Sequence, residues 1–218
     1  MRLTSRKEVV YWKTVFETSS AGQYTVSIPY DGLCKILIIG GGGNGTSYRW
    51  YGGGAYQTEY AGGGAGAGIT GKIQLTSGNY QLVVGGTGQD TTFLNQVAGK
   101  GNNGYTASGA KTKGVPGTAT ITLAGLTPII NDDATTTSYN TYWGWNSGDR
   151  IGYGGSSPKG IVRDGVGSGG TATYSDTSGK AGYARIDIVS TEDNYDYVEI
   201  NDVMLSCKIE DNYYAMNQ

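Results

Sequence analysis

Apolar and polar residues alternate with a period of two over Gln23-Tyr24-Thr25-Val26-Ser27-Ile28-Pro29, the pattern of a strand with one buried face. A Tyr30-Asp31-Gly32 turn follows, and residues 33–39 form a more continuously apolar strand. Lys72-Ile73-Gln74-Leu75-Thr76 and Tyr80-Gln81-Leu82-Val83-Val84 flank Ser77-Gly78-Asn79, which predicts a hairpin. Further strands are expected at Thr118–Leu123 and at Tyr183–Val189. The β-formers of Val9–Trp12 and Thr14–Phe16 predict one or two near the start, and residues 197–200 and 203–209 predict two short ones near the end. Apolar residues at helical spacing are missing throughout, and glycine interrupts every candidate window, so the expected class is all-β with almost no helix.

Glycine is the second pattern. The stretch from Gly40 to Gly71 is fed by the apolar run Lys35–Ile39, and a strand pair followed by glycines recurs at Gly85-Gly86-Thr87-Gly88, a weak internal repeat. The chain has 39 glycines in 218 residues. Each costs about 0.5–1 kcal/mol relative to alanine when ordered, so the chain is either a flexible linker or a backbone that only glycine can form. Aromatic residues make up 11% of the chain and strands bracket every glycine block, which favours order. The expected ordered form is polyglycine-II-like, with three residues per turn and no internal hydrogen bonds. Neighbouring segments would then exchange N–H···O=C bonds and Cα–H···O contacts. Side chains at interruptions of the blocks would project outward.

Charge and composition narrow the chemistry. The net charge is near −2 with no basic stripe, which argues against a nucleic-acid partner. Histidine is absent, removing the commonest general base and metal ligand, and no cofactor is expected. Cys34, in an alternating strand, reads first as a buried free thiol; a Cys34–Cys207 disulfide is the alternative. Met1 to Phe16 is charged throughout without an apolar core, so no secretory signal is expected, and the longest apolar run is far short of a membrane helix, so no membrane insertion is expected. The chain divides into an N-terminal attachment segment (1–20), a glycine-rich β domain (21–189) and an acidic, tyrosine-rich tail (190–218).

Two nucleotide motifs fail on context. Gly40, Gly42 and Gly45 with Glu59 match the dinucleotide fingerprint, but Gly52-Gly53-Gly54 sits where its helix would run. Gly66–Lys72 fits a phosphate loop except that Ile73 replaces the required hydroxyl residue. Asn44-Gly45-Thr46 is a formal glycosylation sequon. Asp132, Asp133 and Asp149 are the acids nearest a catalytic arrangement, and they read as solvated loop residues; the chain is not expected to be an enzyme.

The expected chemistry is binding. Tyr139, Asn140, Tyr142, Trp143, Trp145 and Asn146 concentrate aromatics and amides in residues 131–155, read as a polar, aromatic loop. Flat apolar faces with hydrogen-bonding tips suit sugar rings. Tyr48, Trp50 and Tyr51, with Tyr56 and Tyr60 beyond them, form a second set interrupting the first glycine block. The competing reading is that these rings cap the glycine segments or pack against another subunit.

With these residues in place, the chain resembles the glycine-rich domain of bacteriophage tail-fibre and adhesin-type proteins, also found in prophage and bacterial surface proteins. The resemblance rests on Tyr-Thr-Val-x-Ile-Pro (24–29), Gly32, and the apolar strand running into Gly40–Gly43. It continues through Gly52–Gly54, Gly62–Gly64, Val-Gly-Gly (84–86) and Gly-Tyr-Ala-Arg-Ile (182–186), covering roughly 16–189. It implies a β-sandwich joined to packed polyglycine-II segments, a place on the virion surface, and a receptor-binding role in host attachment. The receptor would be a bacterial glycan or surface protein, with other virion proteins, and by analogy a homotrimer, as further partners. The alternative is a purely structural virion component, such as a head fibre, decoration or connector protein.

Overall fold

The computed structural model describes residues 11–52, 54–129, 134, 136–142, 145–147, 167–172, 178–190, 196–200 and 203–207. The chain forms two compact units, Trp12–Val189 and a smaller one of Met1–Tyr11 with Ser190–Gln218. Trp12–Thr18 is therefore a strand of the larger unit, inside the segment expected to be an attachment arm. Every described element is a β-strand, as the periodicity predicts.

In the larger unit one five-stranded sheet has the order β1 (Trp12–Thr18), β16 (Tyr183–Val189), β3 (Gly32–Ile39), β6 (Gly68–Leu75), β13 (Leu126–Ile129). A second has the order β12 (Ala119–Thr120), β9 (Gln96–Ala98), β8 (Thr91–Phe93), β7 (Gly78–Val84), β2 (Gly22–Ile28). Their facing residues make one core: Cys34, Ile36, Ile38, Ile69, Ile73, Ala184, Ile186 and Ile188 from the first sheet meet Val26, Ile28, Leu82, Val84 and Phe93 from the second. This is a β-sandwich.

The expected hairpin over 72–84 is not formed. β6 pairs with β3 from Gly32↔Leu75 to Ile39↔Gly68, whereas β7 pairs with β2 from Gly22↔Val84 to Ile28↔Gly78. The Ser77-Gly78-Asn79 turn carries the chain from one sheet to the other, and β2 to β3 makes the reverse crossing. The reason is that Ile73 and Leu75 point into the same core as Leu82 and Val84, from opposite sides. An alternating pattern records that a strand has a buried face and is silent on which sheet owns it. The weak internal repeat is thus two arches lying antiparallel across the sandwich.

On the outer face of the first sheet, Thr14 Oγ1 donates to Asp187 Oδ1 at 2.7 Å and Arg185 Nε donates to the same oxygen at 2.9 Å. Tyr183 Oη donates to Glu17 Oε1 at 2.7 Å. Burial, then this bond to a carboxylate, pushes the Tyr183 hydroxyl up to about 12.

Beyond the sandwich the glycine segments form a hydrogen-bonded lattice with a period of three. Along 40–43, Gly40 donates to Ala67, Gly41 to Gln89, Gly42 to Lys180 and Gly43 to Gly64. Residues three apart return to the same neighbour and those between bond to two others, which is the repeat of polyglycine II. The same rule holds along 62–67, where Gly63 and Gly66 donate to Gly170 and Gly167 while Gly64 and Ala67 donate to Asn102 and Gly99. The glycines are required by close approach. A methyl group on Gly41, Gly42, Gly63, Gly101 or Gly169 would overlap a backbone carbonyl oxygen of the next segment.

Two of the sandwich strand pairs run into this lattice and out again without slipping register. Ile39 lies opposite Gly68, Gly40 bonds Ala67, Gly43 bonds Gly64, and Thr46 lies opposite Ala61 at the start of β4 (Thr46–Gly52) and the end of β5 (Ala55–Ala61). Likewise Ala98 lies opposite Ala119, Gly99 bonds Thr118, Asn102 bonds Val115, and Tyr105 lies opposite Thr112 in β10 (Tyr105–Ala107) and β11 (Ala110–Thr112). Each is one antiparallel ribbon: sheet at its base, polyglycine II in its middle, and a hairpin at its tip. A third glycine pair, in which Gly167 bonds Ala181 and Lys180 bonds Ser168, flanks the first ribbon on the side opposite the second.

In the smaller unit, β17 (Asp196–Ile200) and β18 (Val203–Cys207) form an antiparallel hairpin, matching the two short strands expected there.

Candidate functional site: an aromatic sheet at the end of the glycine lattice

The tip of the first ribbon is extended by a further hairpin into a four-stranded sheet of order β15 (Trp145–Ser147), β14 (Thr136–Tyr142), β5, β4. Residues 136–147 therefore contain strand where a loop was expected. The sequence TTSYNTY has no apolar alternation, because this strand is recruited by edge pairing with β5 and not by a hydrophobic face. The pairing runs from Thr136↔Ala61 to Thr141↔Tyr56. Both hairpins turn at the same end of the sheet, the end remote from the glycine segments.

The two aromatic segments picked out in the sequence, about 90 residues apart, are thus neighbours in one sheet. Tyr51 lies opposite Tyr56, which lies opposite Thr141, which lies opposite Asn146. The row below runs Trp50, Gln57, Asn140, Ser147, and the next Arg49, Thr58, Tyr139. Tyr142 lies opposite Trp145 at the outer turn. Trp143, Asp132, Asp133 and Asp149 lie outside the described residues.

Strand alternation divides the first set. Tyr51 and Arg49 share one face of β4, and Tyr48 and Trp50 share the other. Near the lattice both faces are covered. On the Tyr48 side, Glu59 is buried and forms an ion pair with Lys111 of β11 at 2.8 Å, clamping the β10–β11 hairpin over the sheet. On the Tyr51 side, Tyr60 is fully buried and packs with Ala172, so it is a core residue and not part of an exposed set. Farther out, Trp50 folds back over Gly52, where a methyl group would overlap its ring, and its Nε1 is shielded without a hydrogen-bond partner among the described residues.

What remains open is the outer half. Tyr51 is 64% exposed, Tyr56 50% and Tyr48 43%. Tyr51 meets Tyr56 edge to face at 5.1 Å, and the Arg49 guanidinium lies over the Tyr56 ring at 4.2 Å. The sequence places Tyr51 among the candidate binding residues and Tyr56 beside it in the same aromatic set, but does not pair Tyr56 with Arg49. Tyr56 and Arg49 become partners only through the cross-strand register, which the glycines on either side of the hairpin conceal. The arrangement offers flat aromatic surface and guanidinium N–H donors to a ligand. Among the described residues no cluster of His, Cys, Asp and Glu is suited to a metal ion.

Two depressions lie elsewhere. A groove of about 600 Å³ at the end of the sandwich is lined by Leu33, Ile73, Leu75, Leu94 and Leu123 with Lys72 at its rim. Leu94, in the turn between β8 and β9, has φ +52°, unfavourable for a bulky residue by about 1–2 kcal/mol. The buried Gln96 holds it there, its Nε2 donating to the Leu94 carbonyl at 2.8 Å. A smaller polar cleft of about 210 Å³ lies among Asn44, Thr87, Lys100 and Asn103 at the lattice surface.

Compared with known proteins, the chain matches no family model, no curated protein and no solved structure.

Proposed function

We propose that this chain is a bacteriophage virion protein, a fibre-tip or surface adhesin, that binds a bacterial surface glycan or protein through the outer half of the four-stranded sheet. The observation that carries the reading is the β5–β14 pairing, which gathers two distant aromatic segments in one sheet with their turns directed away from the lattice. Exposed rings held by a scaffold favour recognition, because little side-chain freedom is lost on binding. The resemblance to phage adhesin-type glycine-rich domains supports the same assignment. Binding is non-covalent and involves no catalytic step.

The test is binding of the purified protein to host cells. Replacing Tyr51 and Tyr56 by alanine, and in a second variant Tyr142, Trp143 and Trp145, is expected to weaken binding by roughly 5–30-fold each, about 1–2 kcal/mol, with an unchanged melting transition. Undiminished binding in both variants refutes the site. Wild-type protein that binds no host cell, with virions that lose integrity when they lack it, refutes adhesion in favour of a structural virion component.

A further inference from the structure

The charge on this sheet is sparse and asymmetric. Its four strands contain two charged residues, Arg49 and Glu59. Glu59 is buried against Lys111 on the opposite face. Arg49 is exposed on the open face and, among the described residues, its side chain forms no hydrogen bond or ion pair; its one contact of note is the Tyr56 ring at 4.2 Å. A guanidinium carries five N–H donors, and the contact with the Tyr56 ring leaves donors of Arg49 available to a further partner. Tyr51, two positions along the same strand face and about 7 Å away, offers an exposed ring beside it.

From this we infer that the adhesin's ligand is an acidic sugar, a uronic or nonulosonic acid residue of a surface polysaccharide. This rests on the binding reading above and deepens it. The sugar's C–H face lies on Tyr51, and its carboxylate receives two parallel N–H bonds from Arg49, a geometry that a guanidinium supplies and an ammonium does not. Tyr56 holds the guanidinium in place before the ligand arrives, so less freedom is lost on binding. A neutral glycan leaves the guanidinium unused, and an extended polyanion finds no second cation on the sheet.

The full chain is tested against immobilised galacturonate oligomers, the same oligomers after carboxyl reduction, and dextran sulfate. The expected result is binding to galacturonate that falls at least tenfold on carboxyl reduction, at least tenfold in Arg49→Gln, and by a smaller factor in Arg49→Lys. Melting curves of the variants show that the exposed site has been altered without unfolding. Equal binding of native and reduced oligomers, insensitive to Arg49→Gln, overturns the acidic ligand and leaves the aromatic site standing. Equal or stronger binding to dextran sulfate with the same Arg49 dependence also overturns it, since charge alone then suffices. Cell binding that survives enzymatic removal of surface polysaccharide overturns the glycan ligand, while the Tyr51 and Tyr56 variants on those cells decide separately whether the sheet is the site.

Discussion

Replacing Gly63 by alanine separates two explanations of the glycine content, because they predict effects of opposite sign. Gly63 does not have a positive φ, so an alanine can adopt its backbone conformation. On unfolded-state entropy alone the change should stabilise the protein by about 0.4–1 kcal/mol. In the lattice, however, the new methyl group overlaps the Gly43 carbonyl oxygen and comes within 2.7 Å of the Asn44 carbonyl carbon. Relief requires residues 43–44 to move off residues 63–64. That motion breaks the Gly43 N–H bond to the Gly64 carbonyl (2.9 Å) and strains the Gly170 N–H bond to the Gly43 carbonyl (2.8 Å). One lost and one weakened bond, together about 2 kcal/mol, with a further penalty of about 1–3 kcal/mol for buried groups left without water, give roughly 3–5 kcal/mol of destabilisation. For a chain of this size that corresponds to a melting transition lower by roughly 6–20 °C. Gly54→Ala is the internal control, since Gly54 has φ +82° and nothing within 4 Å of an added methyl group. It should cost about 1 kcal/mol through left-handed backbone strain and no more. Calorimetry or urea titration of both variants reads the order directly. A Gly63→Ala protein as stable as wild type, or less affected than Gly54→Ala, refutes the lattice argument.

Two further outcomes follow from the sandwich. The Tyr183 hydroxyl ionises near 12 in the folded protein and near 10 when unfolded, so the folded state holds this proton more tightly. Stability from this source is intact below about pH 10 and falls as pH rises through about 12, by an amount on the order of a few kcal/mol; Tyr183→Phe should flatten that part of a urea-denaturation profile, and an unchanged profile counts against the burial and Glu17 contact of this hydroxyl. Cys34 is a free thiol, fully buried, with its ionisation pushed up by burial, so peptide-resolved alkylation at neutral pH should leave it unlabelled until the protein is unfolded.

How far the sequence spoke depended on where each segment finds its partner. β2, β3, β6, β7 and β16 each bury one face in the sandwich, so their side chains record the fold locally. The glycine lattice was legible because overlap with a neighbouring carbonyl excludes every larger residue, which leaves a mark at Gly41, Gly63 and Gly101 alike. β4 and β5 were concealed because glycines border both, and their residues read as interruptions of a block. β14 has neither mark: Thr136–Tyr142 owes its conformation to the edge of β5, some 80 residues earlier. The pairing of Arg49 with Tyr56 is likewise a matter of register. Tyr60 misled for the converse reason, since its neighbour Ala172 is more than 100 residues away.

The first ribbon also determines how a pulling force would travel. Both strands of the β4–β5 hairpin are direct continuations of lattice segments, β4 of 40–45 and β5 of 62–67. Tension at the tip therefore enters two segments at once and loads their bonds in shear, all together, instead of opening a hairpin one bond at a time. In a flat sheet such load falls on bonds in a single plane. Here Gly40, Gly41 and Gly42 are tied in different directions, to Ala67, Gln89 and Lys180, so no single direction of pull peels them free. The backbone that lacks side chains is thereby the part of the molecule best suited to bear tension.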